Sequence, residues 1–339
     1  MDNVLLNVKD LEICFHTYNG IVKAVRGMNF ALKRGETLGM VGESGCGKSA
    51  TALSILQLIP NPPGEIINGE IWFKADDLLK MKSKNLRRIR GNNISMIFQE
   101  PMTSLNPVYT IGHQIAETIV LHRKLNKDKA IEETIKLLDI VSIPFPERRI
   151  HEYPHQLSGG MKQRAMIAMA LSCNPELLIA DEPTTALDVT IQAQILDLIK
   201  RMKKKYGMSV LMITHDLGVI AEVSENVIVV YAGEVIEYSD VKSLFLKPKH
   251  PYTMALLKAI PKLTDTPRKK LEVIKGNIAD PISLPTGCKF HPRCEYAINF
   301  CKKKEPKLEK IGDNHFVSCW IYDKEKAESF KSVKEKEAV

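Results

Sequence analysis

The residue pattern with the clearest chemical meaning is Gly42-Glu43-Ser44-Gly45-Cys46-Gly47-Lys48-Ser49, followed by Ala50. The glycines let backbone N–H groups approach phosphate oxygens, because no side chain stands in the way. With this spacing, Lys48 is expected to reach the β- and γ-phosphates of a nucleotide, and the Ser49 hydroxyl to bind Mg²⁺. The pattern therefore predicts a phosphate-binding loop, or P-loop.

A second candidate anion site lies in the middle of the chain. Ser158, Gly159 and Gly160 precede a strongly apolar helix predicted at 165–171. A hydroxyl and two glycine amides at a helix N-terminus can bind an anion. An ordinary helix cap beside a flexible loop is the alternative for this segment taken alone.

Carboxylates follow a buried strand in the second half of the chain. The apolar run 177–180 predicts that strand, and Asp181 and Glu182 lie at its C-terminal end, where ligands bind in open α/β sheets. Asp181 fits the carboxylate on the Mg²⁺ side of a P-loop enzyme, and Glu182 fits a group that orients or deprotonates water. His215 follows another predicted strand, at 209–213, and is expected to contact the γ-phosphate; a structural histidine is the alternative.

The pattern of predicted strands and helices that would position these groups indicates an α/β domain. Between about 100 and 165 the pattern becomes helical, which indicates a helical insert within that domain. The predicted strands are 4–15, 22–32, 38–41, 66–74, 94–98, 177–180 and 209–213 with a hairpin at 227–238, and the predicted helices are 50–59, 111–121, 128–141, 165–171 and 189–206.

The bulk composition describes a globular protein. The chain has 339 residues, of which 44% are hydrophobic and 26% charged, enough for one large domain and an extension. No apolar stretch is long enough to span a bilayer and the N-terminus lacks a signal-peptide pattern, so we expect a cytoplasmic protein. The net charge of +8 comes from scattered residues without a nucleic-acid-reading module, so no nucleic-acid partner is predicted.

Four of the seven cysteines lie late in the chain, at Cys288, Cys294, Cys301 and Cys319. In a reducing compartment such a cluster suggests a metal centre rather than disulfides. The spacing lacks the close Cys-x2-Cys pairs of zinc ribbons, yet a four-thiolate zinc site and unligated core cysteines both stay open. The segment 262–319 has few apolar runs, so crosslinks through a metal would help it fold. Because the cysteines are far in sequence from the phosphate motifs, we expect a structural role.

Taken together, these segments resemble the ATPase subunit of an ATP-binding cassette (ABC) transporter. The resemblance covers about residues 1–245 and implies a P-loop ABC-type cassette, with a mixed sheet core, an antiparallel β subdomain and a helical insert. The matching features are the P-loop at 42–49, Gln99, the segment 157–163, Asp181-Glu182, Ala186-Leu187-Asp188 and His215.

The resemblance also implies roles for single residues. The signature 157–163 would bind the γ-phosphate of ATP held by the opposite subunit, and Asp188 joins the nucleotide-binding set. Gln99 would sense Mg²⁺ and water while touching the membrane subunit. The family stacks an aromatic residue on adenine, for which Phe15 aligns best and Tyr18 is the second candidate.

The C-terminal part resembles the extension on ATPases of oligopeptide and dipeptide importers. The matching residues are the segment 250–261 and the four-cysteine region up to Cys319. In some members such cysteines bind a [4Fe–4S] cluster, with zinc as the alternative here. The sequence thus predicts an ABC nucleotide-binding domain at 1–249, with its helical subdomain at about 100–165, and a small metal-stabilised extension at 250–339.

The function that this resemblance implies is ATP hydrolysis driving import of di- or oligopeptides. The expected partners are two membrane permease subunits, a second ATPase that is a copy or a related chain, and indirectly an extracytoplasmic peptide-binding protein. The chain would lie at the cytoplasmic face of the cell membrane. Nickel or another small solute is the alternative cargo. A DNA-repair or translation ATPase fits less well, because only about 110 residues separate Lys48 from Ser158 and the chain has a single cassette.

Overall fold

The computed structural model describes residues 3–100, 104–185, 187–260 and 274–323. A small antiparallel sheet begins the chain: β1 (Val4–Thr17) and β2 (Gly20–Lys33) form a hairpin, and β4 (Gly64–Phe73) and β5 (Asp76–Asp77) complete the order β2-β1-β4-β5. This is the antiparallel β subdomain expected for the cassette.

The central sheet has eight strands in the order β11-β12-β10-β9-β3-β8-β7-β6. Strands β6, β7, β8, β3 and β9 run parallel, whereas β10, β12 and β11 pair antiparallel at one side. The parallel strands read as apolar runs because both of their faces are covered. The strands are β3 (Thr37–Val41), β6 (Ile94–Ile97), β7 (Leu177–Asp181), β8 (Ser209–Thr214), β9 (Asn226–Tyr231), β10 (Glu234–Asp240), β11 (Glu309–Gly312) and β12 (His315–Val317).

Helices cover the central sheet and form the insert between β6 and β7. Those of the insert share one hydrophobic core with the sheet, through buried residues such as Ile119, Leu138 and Ile167. The helices are α1 (Lys48–Ile55), α2 (Ser83–Ile89), α3 (Ile111–Arg123), α4 (Lys127–Ile140), α5 (Pro146–Arg149), α6 (Gly159–Leu171), α7 (Val189–Tyr206), α8 (Leu217–Val223), α9 (Val241–Leu246), α10 (Pro251–Lys258) and α11 (Asn299–Lys303). Within the described residues, each helix is too short or too polar to cross a membrane.

Most predicted elements are present, with two differences at helix ends. The helix predicted at 50–59 stops at Ile55, because the backbone of Gln57 adopts φ +48° and turns the chain. The helix predicted at 165–171 starts earlier, at Gly159, because the Ser158 hydroxyl caps it. Ala186, Pro261 and the parts 262–273 and 324–339 of the predicted extension lie outside the described residues.

A buried carboxylate joins the cassette to the extension. Glu237 in β10 is fully buried and accepts hydrogen bonds from the backbone N–H groups of Lys249 (2.7 Å) and His250 (2.8 Å) and from the His315 ring (2.8 Å). Burial alone would raise the pKa of Glu237, but these hydrogen bonds outweigh it and lower the pKa. Burial lowers the pKa of His250 to about 4, so its ring is neutral at pH 7 and accepts the Tyr252 N–H at 3.0 Å.

Candidate functional site

The P-loop connects β3 to α1 at the C-terminal edge of the parallel strands. A Cβ atom at Gly47 would lie 2.3 Å from the Ala24 carbonyl oxygen, and one at Gly42 would lie 2.3 Å from the Val230 carbonyl oxygen, so both positions need glycine. No side chain caps the start of α1. Its first amides are therefore free to bind an anion.

Lys48 folds back over the P-loop. Its Nζ donates hydrogen bonds to the carbonyl oxygens of Gly42 (2.8 Å) and Glu43 (2.9 Å), and its side chain is buried. The ammonium group thus lies inside the loop that would surround a phosphate. The phosphates of a bound nucleotide would compete with these carbonyl oxygens for the ammonium group.

Asp181 ends β7 next to the P-loop. It is buried, and burial raises its pKa, while a hydrogen bond from the Ser49 hydroxyl opposes that shift. Its Oδ1 is buried without a hydrogen-bond partner. A buried carboxylate oxygen with an open lone pair beside a serine hydroxyl is the donor set that Mg²⁺ prefers, so the residues present fit this ion.

Glu182 is the centre of a small hydrogen-bond network. Its Oε1 lies 3.1 Å from His215 Nδ1, and its Oε2 accepts from Gln99 Nε2 at 3.2 Å and from Thr185 Oγ1 at 2.8 Å. Burial alone would raise the pKa of Glu182, yet the His215 and Thr185 hydrogen bonds lower it overall. The backbone of Glu182 adopts φ +48°, a strained conformation that is common at functional sites.

The structure therefore brings together the three predicted catalytic residues, Glu182, Gln99 and His215. Sequence reasoning missed Thr185, three residues after Glu182. The hydrogen bond from the Thr185 hydroxyl is the shortest of the three that the Glu182 carboxylate makes with Thr185, His215 and Gln99. The spacing Glu-x-x-Thr across a turn could have indicated it.

Ser158 caps a helix, which was the alternative to an anion site for this segment. Its Oγ accepts the Met161 N–H at 3.4 Å at the start of α6. Beside it, Gly159 is exposed, and a Cβ atom there would meet nothing within 4 Å. Gln163 in the same helix donates to the Pro183 carbonyl oxygen at 2.6 Å, which links the signature helix to the turn after Glu182.

The other residues predicted to contact the nucleotide are Asp188 and either Phe15 or Tyr18, and their surroundings do not test that role. Asp188 caps α7 by accepting the Ile191 N–H at 2.9 Å. Phe15 is half-buried and lies opposite Gly64, where the pairing of β1 with β4 ends. Tyr18 is fully exposed in the turn between β1 and β2. The adenine-stacking role of Phe15 or Tyr18 stays a prediction.

All four late cysteines line one pocket. Cys288, Cys294, Cys301 and Cys319 are free thiols there. Burial raises the pKa of Cys288 to about 11 and that of Cys294 to about 12, and it raises the pKa of Cys319 as well. Although they share the pocket, no three His, Cys, Asp or Glu side chains in the described part of the chain converge closely enough to hold a metal ion as arranged.

Two residues of the extension contact the P-loop, which the sequence did not predict. Arg293 forms two charged hydrogen bonds with the Glu43 carboxylate, at 2.7 and 2.9 Å, and the Tyr252 hydroxyl accepts the Glu43 N–H at 2.9 Å. The cysteines are far in sequence from the phosphate motifs, yet the fold brings Arg293, the residue before Cys294, into contact with the P-loop. Sequence distance did not reveal a contact that the fold makes.

Comparison with known proteins matches both parts of the chain. Residues 25–185 match the ABC transporter family, and residues 236–301 match the oligopeptide/dipeptide transporter C-terminal region. The chain is 50% identical over 318 residues to a probable peptide ABC transporter ATP-binding protein of Sinorhizobium fredii, covering 94% of this chain and 95% of that protein. It is 49% identical over 334 residues to the oligopeptide transport ATP-binding protein OppD of Bacillus subtilis, covering 98% and 93%.

A solved structure shares the cassette fold. It is a dimeric ATP-binding cassette in a post-hydrolysis state, bound to ADP and phosphate. Its sequence is 27% identical, its TM-score is 0.63, and the match covers 70% of this chain and 98% of that one. Part of this chain therefore has no counterpart in that structure.

Proposed function

Since this chain belongs to the ATP-binding subunits of the oligopeptide/dipeptide ABC transporters, we propose that it hydrolyses ATP to power peptide import through a separate membrane permease. The observation that carries this proposal is the Glu182 carboxylate, held by Gln99 and His215 at the sheet edge from which the P-loop also emerges. Nucleotide, water and catalytic carboxylate would meet at that edge.

The proposed reaction is transfer of the γ-phosphoryl group of ATP to water. The P-loop amides and Lys48 bind the β- and γ-phosphates, and Ser49, Asp181 and Gln99 would hold Mg²⁺, which neutralises phosphate charge when bound. Glu182 orients the water and accepts its proton as the oxygen attacks the γ-phosphorus and the bond to ADP breaks. His215 keeps the Glu182 carboxylate in place and contacts the γ-phosphate.

We infer that two cassettes close over two ATP molecules. Gly159 is exposed and sterically open, so the signature is free to meet a nucleotide held by another chain. The solved relative is a dimer, which supports this arrangement. In the single chain Ser158 caps its own helix, and its amide neighbours, together with Asp188, would complete the partner's site.

The proposed setting is the cytoplasmic face of the cell membrane. Two permease subunits would bind near Gln99 and the helical insert, and a peptide-binding protein outside the cell would deliver the cargo. The relatives named for peptide and oligopeptide transport support this cargo. Nickel or another small solute is the alternative, and it would leave the ATPase mechanism unchanged.

Reconstitution tests the proposed function. Vesicles that contain the permease, this chain, its partner ATPase and internal ATP are expected to accumulate a labelled oligopeptide when its binding protein is present outside. The control is the same complex with Glu182→Gln, in which uptake stops. Uptake of nickel without peptide would move the cargo to the alternative, and ATP hydrolysis that no solute stimulates would contradict a transport function.

We also propose that the four-thiol pocket holds a [4Fe–4S] cluster, with zinc as the alternative. The donor type fits, because four thiols line the pocket, although binding a metal would require them to move closer together than they lie in this structure. Backbone N–H groups point at three of them, from Phe290 and His291 to Cys288, from Tyr296 to Cys294 and from Ile321 to Cys319. Such N–H donors favour the thiolate that metal binding requires.

Metal content tests this pocket. Anaerobically purified protein is expected to contain about four irons per chain and to be brown. Cys301→Ser should lose the iron and expose the extension to protease, whereas Cys173→Ser, a cysteine of the helical part, should retain both properties. About one zinc per chain would favour the four-thiolate zinc site. Absence of any metal, with an unchanged protease pattern in Cys301→Ser, would contradict a metal-stabilised extension.

A further inference from the structure

Glu43, the second residue of the P-loop, is held from outside the cassette by Arg293. The two guanidinium nitrogens of Arg293 lie 2.7 and 2.9 Å from the two Glu43 carboxylate oxygens, in a paired geometry. The Arg293 side chain is only 4% exposed and that of Glu43 is 21% exposed. Water therefore screens this ion pair little, and each partner fixes the other.

Arg293 is itself held rigidly by its surroundings. Its Nε donates to the Lys275 carbonyl oxygen at 3.2 Å. Its guanidinium carbon lies 5.9 Å from the ring centres of both Tyr231 and Phe290, within reach of cation–π attraction. A side chain held at its Nε and over the faces of its guanidinium group can hold a loop in one position.

The backbone of Glu43 is held as well, from both sides. Its N–H donates to the hydroxyl of Tyr252, a fully buried residue in the first turn of α10. Its carbonyl oxygen accepts from Lys48 Nζ at 2.9 Å. One peptide segment thus connects the extension to the lysine that would bind the phosphates.

We propose that Arg293 and Tyr252 are positioning residues of the nucleotide site, through which the extension holds the P-loop ready for the triphosphate. This rests on the proposed function. A loop that is already fixed loses less conformational freedom when ATP binds. Arg293 also neutralises the Glu43 carboxylate, which would otherwise repel the phosphates. Both effects act on binding, because neither residue touches Glu182 or its partners.

The test measures ATP binding and hydrolysis separately. Arg293→Met is expected to raise the dissociation constant of a fluorescent ATP analogue by about 5–150-fold, the usual range for coupling between two sites. KM for ATP should rise in parallel, whereas kcat stays near the wild-type value. Arg293→Lys keeps one charged contact and should fall between wild type and Arg293→Met.

The matched control is Glu305→Gln. Glu305 also joins the extension to the cassette, through Arg26 at 2.8 Å, but this ion pair does not touch the P-loop. Its loss should leave ATP affinity at the wild-type value. The metal content of each variant is measured as well. Arg293 adjoins Cys294, so a loss of metal would identify a variant whose ATP affinity changed through the proposed metal site.

Two outcomes would overturn the inference. The first is an Arg293→Met protein that unfolds at the wild-type temperature and binds the analogue as tightly as wild type. If Arg293→Met does not fold, Tyr252→Phe decides, since it deletes only the hydroxyl; an unchanged dissociation constant there refutes the inference. Failure of the wild-type chain itself to bind ATP would instead refute the proposed function.

Discussion

Glu182→Gln is expected to slow ATP hydrolysis by about 10²–10⁴-fold, the usual contribution of a positioned general base. Glutamine has nearly the same shape and keeps the contacts with Gln99 and Thr185, but it cannot accept a proton from water. The P-loop and Asp181 are untouched, so ATP and Mg²⁺ remain bound. Bound ATP then persists, and the closed dimer should accumulate.

Two measurements check this expectation, phosphate release and gel filtration in the presence of ATP. The control is Glu222→Gln, which makes the same chemical change at a half-exposed carboxylate in α8 that pairs with Lys200. It should hydrolyse ATP at the wild-type rate and show no ATP-dependent dimer. Near-normal turnover by Glu182→Gln would assign the role of the base to another residue.

The second large effect is expected from a pair of variants, Lys48→Ala and Ser158→Arg. Lys48→Ala should abolish ATP binding in its own chain, because the loop loses its phosphate-binding ammonium group. Ser158→Arg should leave ATP binding to the isolated chain intact, since Ser158 caps its own helix, but the long side chain should block closure of the dimer. Each variant alone should be inactive.

A mixture of the two variants separates a shared site from two independent ones. One of the two sites in a mixed dimer combines an intact P-loop with an intact signature, so part of the hydrolysis should return. Ser158→Ala, which removes the helix cap without adding bulk, is the control for a loss of helix stability of about 1 kcal/mol. If Ser158→Arg abolishes ATP binding to the isolated chain, the signature serves its own P-loop and the shared site is refuted.

The phosphate site was predictable because it is encoded locally. Each group follows a short apolar run: the P-loop that carries Ser49 comes after β3, Glu182 directly after β7 and His215 directly after β8. Parallel strands deliver their C-terminal ends to the same edge, so three separate local patterns predict one meeting place. The hydrogen bonds of Glu182 to Gln99 and His215 agree with that prediction.

Contacts between distant segments were not predictable in this way. Arg293 and Glu43 are 250 positions apart, and neither lies in a periodic pattern that indicates a partner. The hairpin that contains β10 was predicted, but its partner β12 is a strand of only three residues without a strong apolar signal, so their pairing was not. In both cases the tertiary fold decides, whereas the sequence shows only two unrelated polar or short segments.

The pairing of β12 with β10 has a consequence for synthesis on the ribosome. Glu237 and Tyr238 in β10 pair with Val317 and Phe316 in β12, and the two strands end 77 positions apart (317 − 240). At about 5–20 residues per second, the β10 edge of a nascent chain stays open for roughly 4–15 s. An uncovered strand edge invites pairing with other chains. Slower translation of the extension would therefore prolong the interval in which nascent chains can aggregate, and a folding chaperone that covers this edge would act in that interval.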